Sequence, residues 1–520
     1  MDQDTQRNPM MEFWKEHSKS ATVEEMMLDS NAQQLTQHEL PEILSMLPCL
    51  AGSDILELGA GIGRYTQHLI GRARHVTAVD FMENFVEKNR ADNSHRGNAE
   101  FLQADVTQLD FPKHSFDMVF SNWLLMYISN QELKALAEKM LGWLRPGGHL
   151  FFRESCFHQS GDSKRDFNPT QYRTPAHYNH LMTSVLLDES EKGEKKCYGF
   201  DIVLNKTVQT YVKMKKNQNQ LCWLLQKVRR DVVEQHQAGF STFQQFLDNQ
   251  QYTHKGILRY EKMFGSGYVS TGGLSTTKEF VDMLNLTPGQ KVLDVGCGIG
   301  GGDFYMAKTF AVEVLGMDLS SNMVEIAMER AVTEKLPLTC LLVVGDTAKF
   351  GIDPIPNTYR VQFEVSDATK RRFPDCTFDV VYSRDTILHI KDKVDLFRKF
   401  YSWLKPGGKL LISDYCCGEE PWSPAFQDYV NQRGYILYTP HRYGQFLSEV
   451  GFTNVQALDR TEQFVQVIKS ELQRAEEIKD DFIQEFSMED YDDIINGWRE
   501  KLQRCETGDQ RWGLFYATKN

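Results

Sequence analysis

The chain has 520 residues, more than one hydrophobic core usually holds, so two domains are expected. Its hydrophobic share of 41% and charged share of 25% are those of a globular protein, and no stretch approaches the roughly 20 apolar residues of a membrane span. The formal net charge of −13 argues against nonspecific nucleic-acid binding, though not against a small anion held by a few local cations.

The polar, acidic start Met1-Asp-Gln-Asp does not read as a secretory signal. The ten cysteines are scattered without a Cys-x-x-Cys pair, and Cys416 and Cys417 are adjacent. A reduced, cytoplasmic chain with no metal is expected. Further along, 55–58, 75–79, 100–103, 118–121 and 150–153 read as strands, with 84–90 and 131–144 as helices between them. Strands alternating with helices predict a parallel sheet covered on both faces. The stretch 213–236 has a polar, helical pattern, and a second domain is expected from about 240. The acidic, helical 471–493 region reads as a solvated face.

Three blocks then recur in order. Ile55-Leu-Glu-Leu-Gly-Ala-Gly-Ile-Gly63 pairs with Val292-Leu-Asp-Val-Gly-Cys-Gly-Ile-Gly300. Ser115-Phe-Asp-Met-Val-Phe-Ser121 pairs with Thr377-Phe-Asp-Val-Val-Tyr-Ser383, and Trp143-Leu-Arg-Pro-Gly-Gly-His-Leu150 with Trp403-Leu-Lys-Pro-Gly-Gly-Lys-Leu410. The chain is an internal duplication. Glu57 and Asp294 lie 237 positions apart, whereas Asp105 and Asp367 lie 262 apart. The second copy therefore carries an insert of about two dozen residues, placed near 340–360 and read as a surface loop or an added strand.

The glycine loop after a strand lets backbone approach a ligand, as in dinucleotide folds. Two features favour a different cofactor. An acid sits within the loop (Glu57, Asp294), where it would repel a pyrophosphate and accept an aminoacyl ammonium beside a sulfonium. A second acid ends the next strand (Asp80, Asp318), placed for ribose hydroxyls, and a third (Asp105, Asp367) can accept from an adenine amino group. These blocks resemble the class I S-adenosylmethionine methyltransferases. The resemblance implies two tandem Rossmann-like α/β domains, 1–235 and 240–520, each a seven-stranded, mostly parallel sheet with its last strand antiparallel.

More specific motifs follow. The second copy holds Gln251-Tyr252, Tyr260-Glu-Lys-Met-Phe-Gly-Ser-Gly-Tyr268-Val-Ser-Thr-Gly-Gly273, Tyr382-Ser-Arg-Asp-Thr-Ile-Leu-His389, Ser413-Asp-Tyr415, Tyr429-Val-Asn-Gln-Arg433-Gly-Tyr435 and Arg511-Trp-Gly-Leu-Phe. The first holds Met26-Met-Leu-Asp-Ser30, Ser121-Asn-Trp-Leu-Leu-Met-Tyr127 and Phe152-Arg-Glu-Ser-Cys-Phe-His-Gln-Ser-Gly-Asp-Ser-Lys-Arg165. Together they resemble the phosphoethanolamine N-methyltransferases of tandem, plant-like architecture. That resemblance implies three methyl transfers from phosphoethanolamine to phosphocholine, the first in the N-terminal domain and the later two in the C-terminal one. It implies S-adenosylmethionine as methyl donor, S-adenosylhomocysteine as product and small phosphobase substrates; a monomer is expected, and the acidic charge predicts no nucleic-acid partner.

By the same resemblance Tyr252 and His389 form the catalytic pair. Cofactor contacts are implied for Glu57, Gly59, Gly61, Asp80, Asp105 and Val106 in the first domain. In the second they are implied for Tyr260, Ser270, Asp294, Gly296, Gly298, Asp318, Leu319, Asp367, Ala368 and Arg384. Substrate contacts are implied for Gln251, Asp385, Tyr415, Tyr429, Arg433, Tyr435 and Lys501. The first copy departs from this set, with Tyr127 for His389, Trp123 for Asp385 and Ser155 for Tyr415. Arg153, Lys164, Arg165 and Arg173 are its candidate phosphate donors, and Trp14 and His17 precede its sheet as Tyr252 precedes the second. An N-terminal domain that only binds cofactor, or a methyltransferase acting on protein or nucleic acid, are the competing readings.

Overall fold

A computed structural model describes residues 10, 12–162, 167–191, 194–215, 217–230, 242–333 and 361–520. The expected insert at 340–360 lies outside the described residues. The chain divides into two compact units, Met1–Phe246 and Leu247–Asn520.

In the N-terminal unit the strands are β1 (Asp54–Leu58), β2 (His75–Asp80), β3 (Ala99–Gln103), β4 (Phe116–Asn122), β5 (Leu144–Ser155), β6 (Leu186–Glu191), β7 (Glu194–Thr207) and β8 (Gln220–Arg230). They lie in the order β3-β2-β1-β4-β5-β8-β7-β6, with the first five parallel. β8 runs antiparallel to β5, and the β6–β7 hairpin gives this sheet an eighth strand where seven were expected. The added strand β6 pairs antiparallel with the start of β7, Leu186 opposite Gly199 and Glu191 opposite Glu194.

The helical reading of 213–236 is also corrected. Helix Gln209–Lys215 ends early, and Gln220–Arg230 is strand β8. Residues 220–225 are buried one after another, so this strand lacks the alternation that would have marked it.

The C-terminal unit repeats the plan with seven strands among its described residues: β9 (Lys291–Val295), β10 (Glu313–Asp318), β11 (Val361–Val365), β12 (Phe378–Arg384), β13 (Leu404–Cys417), β14 (Thr453–Asp459) and β15 (Gln510–Thr518). Their order is β11-β10-β9-β12-β13-β15-β14, with β15 the antiparallel strand. β9 and β12 are buried almost throughout, as strands covered on both faces must be. Helix Asn130–Trp143 starts at a Ser129/Glu132 capping box, so β5 begins directly where that helix stops.

The third glycine of each loop packs against the sheet's own helices. A Cβ at Gly63 would sit 2.3 Å from Asn89 Oδ1, and Gly63 has φ +89°. Gly63→Ala is expected to destabilise the N-terminal unit by roughly 2–5 kcal/mol, summing forced overlap and left-handed strain. Thermal unfolding checks this, and an unchanged transition would refute it.

Candidate active site

The glycine loops are built alike. Gly59 and Ala60 both donate to Val79 O at 2.9 Å, and Gly59 and Gly61 take φ of 71° and 55°, a turn only glycine adopts freely. Asp80, at the end of β2, accepts from Gly61 N at 2.8 Å and Met82 N at 2.9 Å. In the C-terminal unit Gly296 and Cys297 donate to Met317 O at 2.7 and 3.1 Å. Asp318 there accepts from Gly298 N at 3.0 Å and Ser320 N at 2.8 Å. Asp105 and Asp367 each accept from the amide two residues on, at 2.9 Å, beside buried Val106 and Ala368.

The loop acids differ in their surroundings. Glu57 accepts from Thr66 Oγ1 at 2.6 Å, and burial pushes its carboxyl up to about 8. Asp303 stands at the place of Thr66 and pairs with Asp294, so burial raises two adjoining carboxyls together.

The N-terminal unit contains a cleft enclosing about 1370 Å³, its open mouth included. Glu57, Gly59, Gly61, Asp80, Asp105 and Val106 line it, with Trp14, Trp123, Tyr127 and Ser155. Sequence reasoning missed Arg64, Tyr65, Tyr172, Tyr211, Gln220 and Ser160, which share the wall. Arg64 is 5% exposed and paired with Glu39, yet its Nε and Nη2 have no hydrogen-bond acceptor among the described residues. Its position, directly after the glycine loop, was the signal available in the sequence.

Two of the expected phosphate donors of this unit, Arg153 and Arg173, are engaged by other protein groups. Arg153 is fully buried, paired with Glu39 Oε2 at 2.9 Å and stacked 4.0 Å over the Trp123 ring, outside the cleft wall. Arg173 is spent on the main chain, donating to Leu125 O at 3.0 Å and Ile128 O at 2.5 Å. Lys164 and Arg165 lie outside the described residues. His17 stacks on Phe13 at 4.2 Å, whereas Trp14 reaches the cleft.

In the C-terminal unit β12 ends in Arg384-Asp385. Arg384 donates to Thr277 Oγ1 at 2.8 Å, Thr271 O at 2.7 Å and Thr276 Oγ1 at 2.9 Å, leaving Nε without an acceptor among the described residues. Asp385 Oδ1 accepts from Trp512 Nε1 at 2.9 Å and Ser413 Oγ at 3.2 Å, while Oδ2 has no donor there. Asp385 and its counterpart Trp123 both take left-handed backbone, φ 49° and 56°. Two non-glycine residues in that region, at matching strand ends, mark strain held at a site.

The 3₁₀ turn Ile387–His389 follows, and the His389 ring meets Tyr435 at 5.2 Å. Tyr435 meets Tyr429 at 5.8 Å, and Arg433 and Arg504 lie 6.0 and 3.9 Å from the Tyr429 ring centre. Lys501 Nζ donates to Tyr415 Oη at 3.0 Å, and Thr271 Oγ1 lies 3.4 Å from the same oxygen. Burial, then Lys393 and Arg433, push His389 down to about 4. Burial, reinforced by Asp318, Tyr415 and Tyr260, raises the Tyr252 phenol, and Arg433 works against that rise. The structure therefore brings Tyr252, Tyr260, His389, Tyr415, Tyr429, Arg433 and Tyr435 into one electrostatic neighbourhood. Asn322 Nδ2 donates to Tyr252 O at 2.8 Å and fixes the segment bearing Gln251 and Tyr252; Ser270 O accepts from Gly273 N at 3.0 Å, and Leu319 N bonds to Asp318. Glu471, in the acidic region read as solvated, is buried and accepts from Gly272 N at 2.6 Å.

Residues 55–148 and 275–457 each match a family model described as a methyltransferase domain. The chain is 53% identical to phosphoethanolamine N-methyltransferase 3 of Arabidopsis thaliana over 99% of both chains, and 52% identical to the Triticum aestivum phosphoethanolamine N-methyltransferase over 99% and 96%. A solved structure of Haemonchus contortus phosphoethanolamine N-methyltransferase 2, bound to phosphomonomethylethanolamine and S-adenosylhomocysteine, matches with TM-score 0.72 and 26% identity, covering 93% of this chain and 99% of that one. With two methyltransferase domains in tandem and full-length likeness to the plant enzymes, the chain belongs to the phosphoethanolamine N-methyltransferase family.

Proposed function

We propose that the chain methylates the nitrogen of phosphoethanolamine from S-adenosylmethionine, through mono- and dimethyl forms to phosphocholine. In this reading the N-terminal unit makes the first transfer and the C-terminal unit the later two. The observation carrying it is the grouping, beside an acid-and-glycine cofactor loop, of half-buried His389 with the Tyr415–Lys501 pair and the Tyr429–Arg433–Tyr435 set. We read the chain as a cytoplasmic monomer acting on small phosphobases, in keeping with its net charge of −13.

The residues fit the cofactor. Asp80 and Asp318 offer carboxylate oxygens at strand ends for a ribose, and Glu57 and Asp294 face where an ammonium would lie. Arg64 and Arg384 hold buried guanidinium N–H groups ready for a carboxylate. S-adenosylmethionine, when bound, supplies a methyl group activated by its sulfonium. Phosphobase amines carry a proton at neutral pH, with pKa near ~10, and have no lone pair until it leaves. His389, held near 4, stays unprotonated at neutral pH and can accept that proton only in passing, handing it on to water. Tyr252, its phenol pushed up, keeps its own proton and orients the nitrogen. Asp385 Oδ2 accepts from the ammonium, and tyrosine faces hold it as methyl groups accumulate. Lys501, donating to Tyr415 Oη at 3.0 Å, meets the phosphate together with Arg433.

Labelled S-adenosylmethionine given with each phosphobase tests the reading; label on none of the three would sink it. A second measurement follows from Glu57. Its carboxyl is protonated below about 8 and must ionise to face an ammonium. Cofactor binding to the N-terminal unit is expected to release protons at pH 7 and none at pH 9. Calorimetry in buffers of differing ionisation enthalpy reads this, and proton uptake at pH 7 would contradict it.

A further inference from the structure

We infer that a buried acid–cation–tyrosine clamp fixes, in each unit, the turn that presents its substrate-facing residue, so that Asp414, Lys393 and Tyr443, and Glu154, Arg173 and Tyr178, are positioning residues for methyl transfer. This rests on the function proposed above.

In the C-terminal unit the clamped turn is Ile387–His389. Asp414, on β13, accepts from Leu388 N at 3.2 Å and from Tyr443 Oη at 3.2 Å. Lys393 Nζ donates to Ile387 O at 2.6 Å and Ile390 O at 3.1 Å. In the N-terminal unit the turn is Leu125–Tyr127. Glu154, the counterpart of Asp414 on β5, accepts from Leu124, Leu125 and Met126 N at 3.2, 2.8 and 3.2 Å. Arg173 donates to Leu125 O and Ile128 O, the counterparts of Ile387 O and Ile390 O, and to Tyr178 Oη at 3.4 Å. Tyr178 and Tyr443 each stand four residues after the N-cap threonine of a Thr-Pro helix start. All six side chains are buried.

A plain structural cap is the alternative. Two facts weigh against it. Burying a cation with an acid costs several kcal/mol per ion before pairing returns it, more than satisfying a turn requires. The two copies also draw the cation from different places: Lys393 opens the helix after the turn, whereas Arg173 comes from the segment before helix Pro175–Ser184. The residue carried by the turn has changed from Tyr127 to His389, and the cation has changed with it. The same pair of carbonyls is nevertheless held, so what both copies keep is the placement of the turn.

The test uses the full chain and follows turnover of phosphoethanolamine and phosphomonomethylethanolamine separately, with S-adenosylhomocysteine affinity and thermal unfolding alongside. Asp414→Asn and Tyr443→Phe are expected to lower kcat on phosphomonomethylethanolamine about ten-fold or more, the scale of a misplaced reacting group. Cofactor affinity and the first transfer stay as in the wild type. Glu154→Gln and Tyr178→Phe are expected to do the reverse. Lys393→Arg, which can still reach both carbonyls, restores most of the turnover lost in Lys393→Met. Folded variants with wild-type kcat would overturn the inference, as would kcat falling only in step with cofactor affinity and melting temperature. A wild-type chain inactive on both phosphobases would overturn the proposed function together with the inference.

Discussion

Replacing His389 with alanine is expected to slow methylation of phosphomonomethylethanolamine by about 10²–10⁴-fold, the usual worth of a positioned acid–base group. Binding of S-adenosylhomocysteine should persist, because the loop acids and glycines belong to β9, β10 and the segments after them. Burial and two flanking cations keep the imidazole near 4, so it is present as the neutral base through the neutral range. The wild-type rate should accordingly show no inflection at the ordinary histidine value, about 6.5. Rapid-quench assays of single turnover separate the chemical step from product release. Unchanged single-turnover rates in His389→Ala would remove His389 from the reaction.

The second large effect separates the two units. Asp80→Ala and Asp318→Ala each remove a carboxylate that accepts two loop amides and that the proposed function sets against a ribose. Charge-assisted hydrogen bonds are worth about 1.5–3 kcal/mol each, so losing the set should weaken cofactor binding in that unit by ~100-fold or more. With phosphoethanolamine as substrate, Asp318→Ala is expected to stop after one methyl group and accumulate the monomethyl compound. Asp80→Ala should leave phosphoethanolamine untouched yet carry the monomethyl compound onward. Mass spectrometry of the products decides. If Asp318→Ala also abolished the first transfer, the N-terminal unit would be a cofactor-binding module alone.

The parts of the fold tied to a chemical demand were legible in the sequence. A strand ending in acid-x-Gly-x-Gly sets a carboxylate beside a close-approaching backbone, and its repetition predicts two sheets. Strand β8 was not legible, because Leu221–Leu225 are all buried and a strand covered on both faces shows no period of two. Arg173 reads as a candidate phosphate donor, but its guanidinium serves five main-chain and side-chain oxygens around the turn. Arg64, Tyr172 and the neighbouring pair Tyr211 and Gln220 converge on one cleft from three separate stretches, and nothing local in the sequence joins them. The C-terminal site was easier to read since Tyr429, Arg433 and Tyr435 fall within one short helix and its exit.

The left-handed residues at the ends of β4 and β12 carry a lesson for anyone who engineers this chain. A strained non-glycine residue costs about 1–3 kcal/mol, a sizeable part of the 5–15 kcal/mol by which domains hold together. Glycine at 385 would relieve that strain while discarding the carboxylate whose second oxygen awaits a donor. A library selected for heat resistance alone would drift toward that exchange, gaining firmness and losing the later methylations. Position 385 is therefore one to hold fixed, with 123 beside it, while the rest of the chain is stabilised.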